Sequence, residues 1–385
     1  MKRSVHILIA PNAFKNSLTA EEAAAAIGEG LSKSKLDCTY EYFPVGDGGD
    51  GTARLIAKKF NGEVIKTNVH DPLGRMITTS FSLIDDGRTA VMEMADASGL
   101  RLLKPGELDP LHASSFGTGE LVLEALNRGA TKIIICMGGS ATVDGGSGIL
   151  KALGVRFLNS DNEALDDLPA SLTNLTSIDL SALDTRLVNC EITVLCDVTN
   201  VLLGATGAAA IFGPQKGASQ QDVKHLENAL TTFAKVVSSQ TGIDISTIKH
   251  GGTAGGAAAG LYALINATLV NGIDHFLDLT NFAAALHKAD LVITGEGSID
   301  EQTLQGKAPF GVAARAKMKG IPVIALAGKV PVHDSNHLRE YFDFLIPISH
   351  QPEDLHDALK HSADNLVRTS TMVGDLLALT PVNKL

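Results

Sequence analysis

The sequence predicts an α/β protein built as two layered domains, and three observations carry that prediction. Apolar runs of strand length alternate with amphipathic helical segments at both ends of the chain, the rhythm of a layered α/β sheet. A hairpin signal in the middle breaks this rhythm and predicts a mixed sheet there. The 385 residues exceed the roughly 250–300 at which one hydrophobic core stops growing.

In chain order, residues 5–10 read as a short buried strand. Residues 20–31 read as a helix, with Ser17 or Thr19 as N-cap and Glu21 and Glu22 in the first turn, where acidic side chains suit the helix dipole. Residues 38–44 form the next strand and 52–60 the next helix. Strands 81–83 and 89–94 flank the turn Asp85-Asp86-Gly87. Residues 132–136 are a strand, 145–153 a helix after a Gly-Gly-Ser loop, and 192–196 a strand ending at Asp197. Residues 224–239 are helical, and 251–260 pass from a Gly/Ala-rich loop into a helix. The βα rhythm returns with strands 289–293, 321–327 and 342–348 and helices 310–318 and 355–368. The simplest division is a discontinuous α/β domain from residues 1–70 and 286–385, with a mixed α/β domain, 71–285, inserted in it.

Composition removes several classes of function. A net charge of -11 with 4% aromatic residues, and no basic run, argues against nucleic acid. No stretch reaches the ~18 apolar residues of a membrane span. The Met1-Lys2-Arg3 start has the charge of a signal peptide, but the apolar run behind it is too short, so a cytoplasmic protein is expected. Cys38, Cys136, Cys190 and Cys196 form no C-x-x-C pair, which argues against zinc and a disulfide framework. The sequence leaves the oligomeric state open, with a homodimer among the expectations.

In open α/β sheets ligands bind beyond the carboxyl ends of the strands. Those ends here deliver Lys15 and Ser17, then Asp47-Gly48-Gly49-Asp50-Gly51, then Gly138-Gly139-Ser140 through Asp144, then Asp197, then Gly295-Glu296-Gly297 with Asp300. Glycines and helix starts present N–H groups to phosphate oxygens. Carboxylates hold Mg²⁺ through oxygen, and lysine neutralises a transferring phosphoryl group. The convergence of such loops is a phosphoryl-transfer constellation.

Each piece taken alone has a plainer explanation. Residues 47–51 are ordinary turn chemistry, Lys15 a solvated lysine, and Asp144 and Asp300 carboxylates suited to helix starts. His250 reads as a surface residue. Asp197, directly after an apolar strand, and Glu296, between two glycines, resist such explanations. Gly46, Gly48 and Gly51 with Asp71 spell a dinucleotide fingerprint. Asp47 and Asp50 inside that loop would repel a pyrophosphate, and Asp71 precedes Pro72-Leu73-Gly74, a turn. There is no Walker A loop, H-E-x-x-H or G-x-S-x-G.

Taken together these segments resemble the bacterial glycerate kinase family of the first type, nearly end to end. The resemblance runs through Asn12-Ala13-Phe14-Lys15-Asn16-Ser17-Leu18, residues 44–52, Asp71-Pro72-Leu73-Gly74-Arg75, residues 138–146, Asp197-Val198, residues 212–218, and residues 293–297 with Asp300, Gln302, Thr303, Gly306 and Lys307. Asn12 replaces an Asp of that pattern, Asn16 a Gly, Asp50 a Glu, Val143 an Asn and Gly46 an Ala. The resemblance implies a flavodoxin-like, Rossmann-like three-layer domain beside a second α/β domain, with the active site in the cleft between them. It also implies ATP, Mg²⁺ and D-glycerate as ligands, with phosphorylation at the 2-hydroxyl rather than the 3-hydroxyl.

On that basis Asp197, then Asp47, is expected to accept the hydroxyl proton, with Lys15 and Lys307 balancing phosphate charge. Gly48, Gly49, Gly138, Gly139 and Ser140 are expected to give N–H donors. Asp144, Glu296 and Asp300 are expected to hold the metal, and Arg75 and Ser17 the substrate. Two other readings stay open. A kinase for a related hydroxy acid or sugar acid shares every feature named. A solute-binding protein also has two α/β lobes, but has less use for so many carboxylates at strand ends.

Overall fold

The computed structural model describes residues 4–333 and 336–379, so the Met1-Lys2-Arg3 start lies outside the described residues. In chain order the strands are β1 (Val5–Ile9), β2 (Cys38–Tyr42), β3 (Glu63–His70), β4 (Met76–Ile84), β5 (Thr89–Glu93), β6 (Lys132–Cys136), β7 (Arg156–Leu158), β8 (Ser177–Asp179), β9 (Glu191–Cys196), β10 (Thr268–Asn271), β11 (Leu291–Ser298), β12 (Val323–Lys329) and β13 (Phe344–Pro347). The chain divides into two compact units, Met1–Asp47 with Ile273–Leu385, and Gly48–Gly272.

The first unit is a five-stranded parallel sheet in the order β13-β12-β11-β1-β2. Counted within the unit this is 2-1-3-4-5, a doubly wound order whose switch point lies between β1 and β11. The helix Ala20–Lys33 forms because Thr19 and Glu22 build a reciprocal capping box ahead of an alanine-rich run. Thr19, not Ser17, is its cap. Its buried stripe, with Ile27 and Leu31, covers Ile7 and Ile9 of β1 together with Ile293 and Leu326. The helix Ser362–Ala378 lies against it, and Thr371 Oγ1 donates to the Gly30 carbonyl at 3.0 Å. The single helix expected over 355–368 is two, Leu355–Lys360 and Ser362–Ala378.

The second unit is a six-stranded mixed sheet in the order β10-β9-β6-β5-β4-β3, with a small β7-β8 ribbon. The hairpin signal is real: β4 and β5 pair antiparallel across Asp85-Asp86-Gly87, all three at positive φ. Within the sheet β5, β6, β9 and β10 run parallel. A 22-residue helix, Gln220–Thr241, starts at a Ser219–Asp222 capping box and buries Leu226, Leu230 and Phe233. Among the described residues no helix is long and apolar enough to cross a membrane. All four cysteines are free thiols.

The division differs from the expected one at both ends, and the reason is strand pairing. β3 pairs antiparallel with β4 along its whole length, from Glu63 opposite Leu83 to His70 opposite Met76. That ladder carries residues 48–70 into the second unit. β3 escapes notice in the sequence because Glu63, Lys66 and Asn68 leave it few buried side chains. At the other end Phe282 stacks edge-on against Phe43 at 5.1 Å, which fixes residues 273–286 to the first unit.

Phe233 is fully buried in the second core and packs on Phe157 at 6.2 Å. Phe233→Ala is expected to lower stability by about 3–5 kcal/mol, read as a shifted urea midpoint. An unchanged midpoint would mean that this helix contributes little to the core.

Candidate functional site

In the first unit, chemistry gathers at the carboxyl ends of β1, β2 and β11. Asn12 follows β1 and its amide donates to Asp47 Oδ2 at 3.0 Å. An Asp at position 12 would set two carboxylates against each other and raise a pKa; the amide removes that repulsion. Glu296 is 8% exposed. The segment Gly295-Glu296-Gly297, expected as a loop, is part of β11, with Glu296 opposite Ala327 on β12. The Glu296 carboxylate accepts from Thr303 Oγ1 at 3.2 Å. Burial pushes its pKa up to about 7; Lys307 pulls it down, while Asp47 and Asp300 add to the rise. Asp300 caps the turn Glu301–Gln305 by accepting from the Gln302 N–H at 2.9 Å.

Lys307 is the N-cap of the 11-residue helix Ala308–Met318 and makes no side-chain cap bond. A cation at a helix N-terminus opposes the macrodipole, so this placement suits a site whose ligand is an anion. Lys15 is exposed. Ser17, half-buried, donates its hydroxyl to the Leu359 carbonyl at 2.6 Å.

In the second unit three loops meet backbone to backbone. The Gly138 N–H donates to the Gly48 carbonyl at 2.9 Å, and the Met137 N–H to Leu195 at 3.3 Å. A Cβ on Gly138 would lie 2.5 Å from Gly49 Cα and 3.2 Å from Asp197 Oδ2. Gly48 has φ 93°, and a Cβ there would reach 2.8 Å from the Leu195 carbonyl. Only glycine fits such an approach. Gly48, Gly49, Gly138 and Asp197 are therefore brought together, and Gly139 with Ser140 follows directly. The Leu100 N–H donates to the Gly139 carbonyl, and the Ala141 N–H to Ser98.

Two expected roles do not match the contacts found. Asp144 is buried, and its oxygens accept from the Ser115 N–H (2.9 Å) and hydroxyl (2.6 Å), the Gly146 N–H (2.9 Å) and the Gly148 N–H (3.2 Å). It anchors two helix starts, Phe116–Asn127 and Ser147–Ala152, and is not open to a metal as expected. Among the described residues no three His, Cys, Asp or Glu side chains form a metal-holding group. Arg75, expected on the substrate, has its guanidinium on Asp71 at 2.6 Å, Glu107 at 2.9 Å and the Leu102 carbonyl at 3.4 Å. Asp71 in turn accepts from the Leu73 and Arg75 N–H groups, which closes the 71–75 turn.

Three residues escaped the sequence reading. Lys216 is 3% exposed, and its ammonium donates to Ser140 Oγ at 2.9 Å and to the Thr142 carbonyl at 2.6 Å. Burial pulls its pKa down to about 8, against the opposing pull of Asp144 and Asp197. Its segment, residues 212–218, stood out only through the family resemblance. Glu93, 5% exposed, accepts from the Gly51 N–H at 2.8 Å and the Ala53 N–H at 3.2 Å. Burial, with Asp96 nearby, raises its pKa to about 7. His250 is buried rather than on the surface, sits at φ 70°, and its Nδ1 is 2.6 Å from the Val198 carbonyl. Nothing in one sequence marks a lysine, a glutamate or a histidine as buried.

Gly138→Ala is expected to spread the three loops and lower turnover on the order of 100-fold, since a shift near 1 Å in a positioned site has that effect; full activity would show that the approach has slack. Glu93 yields a pH prediction. Its folded pKa lies above the ordinary 4.5, so its contribution to stability is full at low pH and fades as pH rises from about 4.5 to about 7. Gln keeps an oxygen for both N–H groups. Glu93→Gln should therefore flatten the fall in urea midpoint across that window and sit above the parent at about pH 8. An unaltered pH profile would contradict the burial argument.

The sequence model of the glycerate kinase family matches residues 7–378. The chain is 43% identical over 371 residues to the glycerate kinase of Haemophilus influenzae, covering 96% of this chain and 98% of that one. It is 41% identical over 377 residues to the glycerate 2-kinase of Escherichia coli K12, covering 97% and 98%. A solved structure described as a candidate glycerate kinase 2 from Salmonella typhimurium LT2 superposes with a TM-score of 0.82 at 41% identity, covering 98% of this chain and 99% of that one. The chain belongs to the glycerate kinase family and is a kinase, a phosphotransferase acting on an alcohol group.

Proposed function

We propose that this kinase transfers the γ-phosphoryl group of ATP to D-glycerate and yields 2-phosphoglycerate. The family match over residues 7–378 carries the reading. The likeness to a glycerate 2-kinase favours the 2-hydroxyl. We read the first unit as a flavodoxin-like, three-layer fold, which its 2-1-3-4-5 strand order supports.

In this reading Asp197 accepts the proton of the attacking hydroxyl, with Asp47 as the second choice. Asp197 directly follows β9 and lies against the Gly138 backbone. The Gly138 and Gly48 N–H groups are taken up by the Gly48 carbonyl and Thr52 Oγ1, so these glycines shape the loops, and Gly49, Gly139 and Ser140 are the positions read as facing an anion. Lys15 and Lys307 balance phosphate charge, and the helix start behind Lys307 suits a polyphosphate.

Glu296 and Asp300 would hold Mg²⁺. A cation beside a carboxylate that retains its proton near neutral pH displaces that proton, and Mg²⁺ commonly takes one or two carboxylates with the rest from phosphate and water. Bound there, Mg²⁺ would neutralise charge on the phosphates. Asp144 serves instead to hold the Ser140 loop on its helix starts, Arg75 to clasp the 71–75 turn, and Ser17 to tie its loop to Leu359.

Purified protein with D-glycerate, ATP and Mg²⁺, followed by phosphorus NMR, should give a phosphomonoester identified as 2-phosphoglycerate. The 3-isomer would overturn the regiochemistry. Intact ATP would remove glycerate as substrate, and ATP hydrolysis without an ester would mean a wrong acceptor. Asp197→Asn should lower kcat by about 10²–10⁴. Near-normal kcat with unchanged pH dependence would take the role of base away from Asp197.

A further inference from the structure

We infer that Lys216 is a positioning residue of the reaction: its buried ammonium clamps the Gly138–Thr142 loop in the shape that presents the loop to the reacting groups. The inference rests on the phosphoryl-transfer reading above.

The geometry begins with the backbone. Pro214 starts the turn Pro214–Lys216, and Gly217 ends it at φ 100°. A Cβ on Gly217 would lie 2.7 Å from Leu108 Cβ, so the turn is pinned from outside. The Lys216 side chain therefore leaves a fixed point. It reaches across to two successive parts of the loop after β6, the Ser140 hydroxyl and the Thr142 carbonyl.

Both partners are neutral. A buried ammonium bonded only to a hydroxyl and a carbonyl is costly in a folded protein, where burying a charge without an adjacent counter-charge is strongly unfavourable. A methionine would fill the same space without that cost. A purely structural contact gives no reason to keep the charge; a contact that must hold a ligand-facing loop does. Asp144 and Asp197 are the carboxylates whose fields act on the ammonium. Both belong to the same pair of loops, so the ammonium and the two carboxylates share one neighbourhood. A second observation points the same way. The hydroxyls of Thr142 and Ser147, on either side of Asp144, are buried with no hydrogen-bond partner among the described residues. The polar lining of this loop is not closed by the protein's own groups.

The test uses the full chain and Lys216→Met, with three measurements. Amide hydrogen exchange at residues 138–142 should speed up on the order of tenfold or more, while β5, β6 and β9 exchange as in the parent. The urea midpoint should stay level or rise, because a buried charge is removed. With D-glycerate and ATP, kcat should fall on the order of 100-fold with a much smaller change in KM, and the acid limb of the rate profile should move to higher pH as Asp197 loses a positive neighbour. Unchanged exchange, or kcat within about threefold of the parent, would overturn the inference, since threefold is under 1 kcal/mol. A fallen midpoint with otherwise normal kcat in the folded fraction would make Lys216 a stability residue only. Should Lys216→Met fail to fold, Ser140→Ala removes one end of the clamp and keeps the ammonium, and it must also speed exchange at 138–142. The exchange measurement needs no substrate. A parent that leaves D-glycerate untouched would sink the kinase reading, whereas normal exchange in the variants would sink the clamp alone.

Discussion

The second unit depends on how closely its backbones approach. Gly138 lies on Gly49 with no room for a Cβ, and Gly48 lies on the Leu195 carbonyl. The two glycine loops can lie on one another and on the end of β9 only because Gly48, Gly49 and Gly138 carry no side chain there. Everything chemical nearby follows from that approach. Asp197 is brought against the Gly138 backbone, Glu93 reaches the N–H groups that begin the next helix, and Ser140 comes within reach of Lys216. Strand-end loops that would otherwise hang loose are thereby held in one place, with Asp197 among them.

Each unit retains charge where charge is unfavourable. Glu93 and Glu296 carry pKa values raised to about 7, and Lys216 one lowered to about 8, each chiefly by burial. Groups held near neutrality change their protonation readily when a charged partner arrives. Perturbed groups of this kind mark functional regions more than stabilising ones. Structural carboxylates look different. Asp144 and Asp71 have their oxygens filled by local N–H and hydroxyl donors, and serve as anchors for turns and helix starts.

Much of the layout was legible in the sequence, and what was not has physical causes. Alternating apolar and helical runs gave the sheet strands because burial imposes those periods. The loops at their carboxyl ends held the residues later found there, Asp47, Gly48, Gly138 and Asp197 among them. β3 was hidden because its exposed charges resemble a loop, and with it the first boundary was misplaced by more than twenty residues. Gly295-Glu296-Gly297 reads as the loop beyond the strand because glycine usually breaks one, yet a Cβ on Gly295 would meet the Leu326 carbonyl at 2.1 Å in the neighbouring strand. Arg75 and Ser17 have partners on distant segments, Glu107 and Leu359, which one sequence does not reveal. The sequence does not single out Lys216, and His250 reads in it as a surface residue, because burial is a property of the fold, not of the residue.

The order of strands in the first sheet has a consequence for how the chain is made. β1 sits between β2 and β11, so one of its two edges waits for a partner made about 280 residues later. The second unit is contiguous from Gly48 to Gly272 and has all its strands before β11 emerges. During synthesis the second unit can close on itself first, while Ile7 and Ile9 and the apolar face of the helix Ala20–Lys33 remain uncovered. The first unit becomes a sheet only when β11, β12 and β13 arrive. A ribosome that stalls before β11 thus releases a finished second unit tethered to an open strand edge, the kind of surface that pairs with other chains.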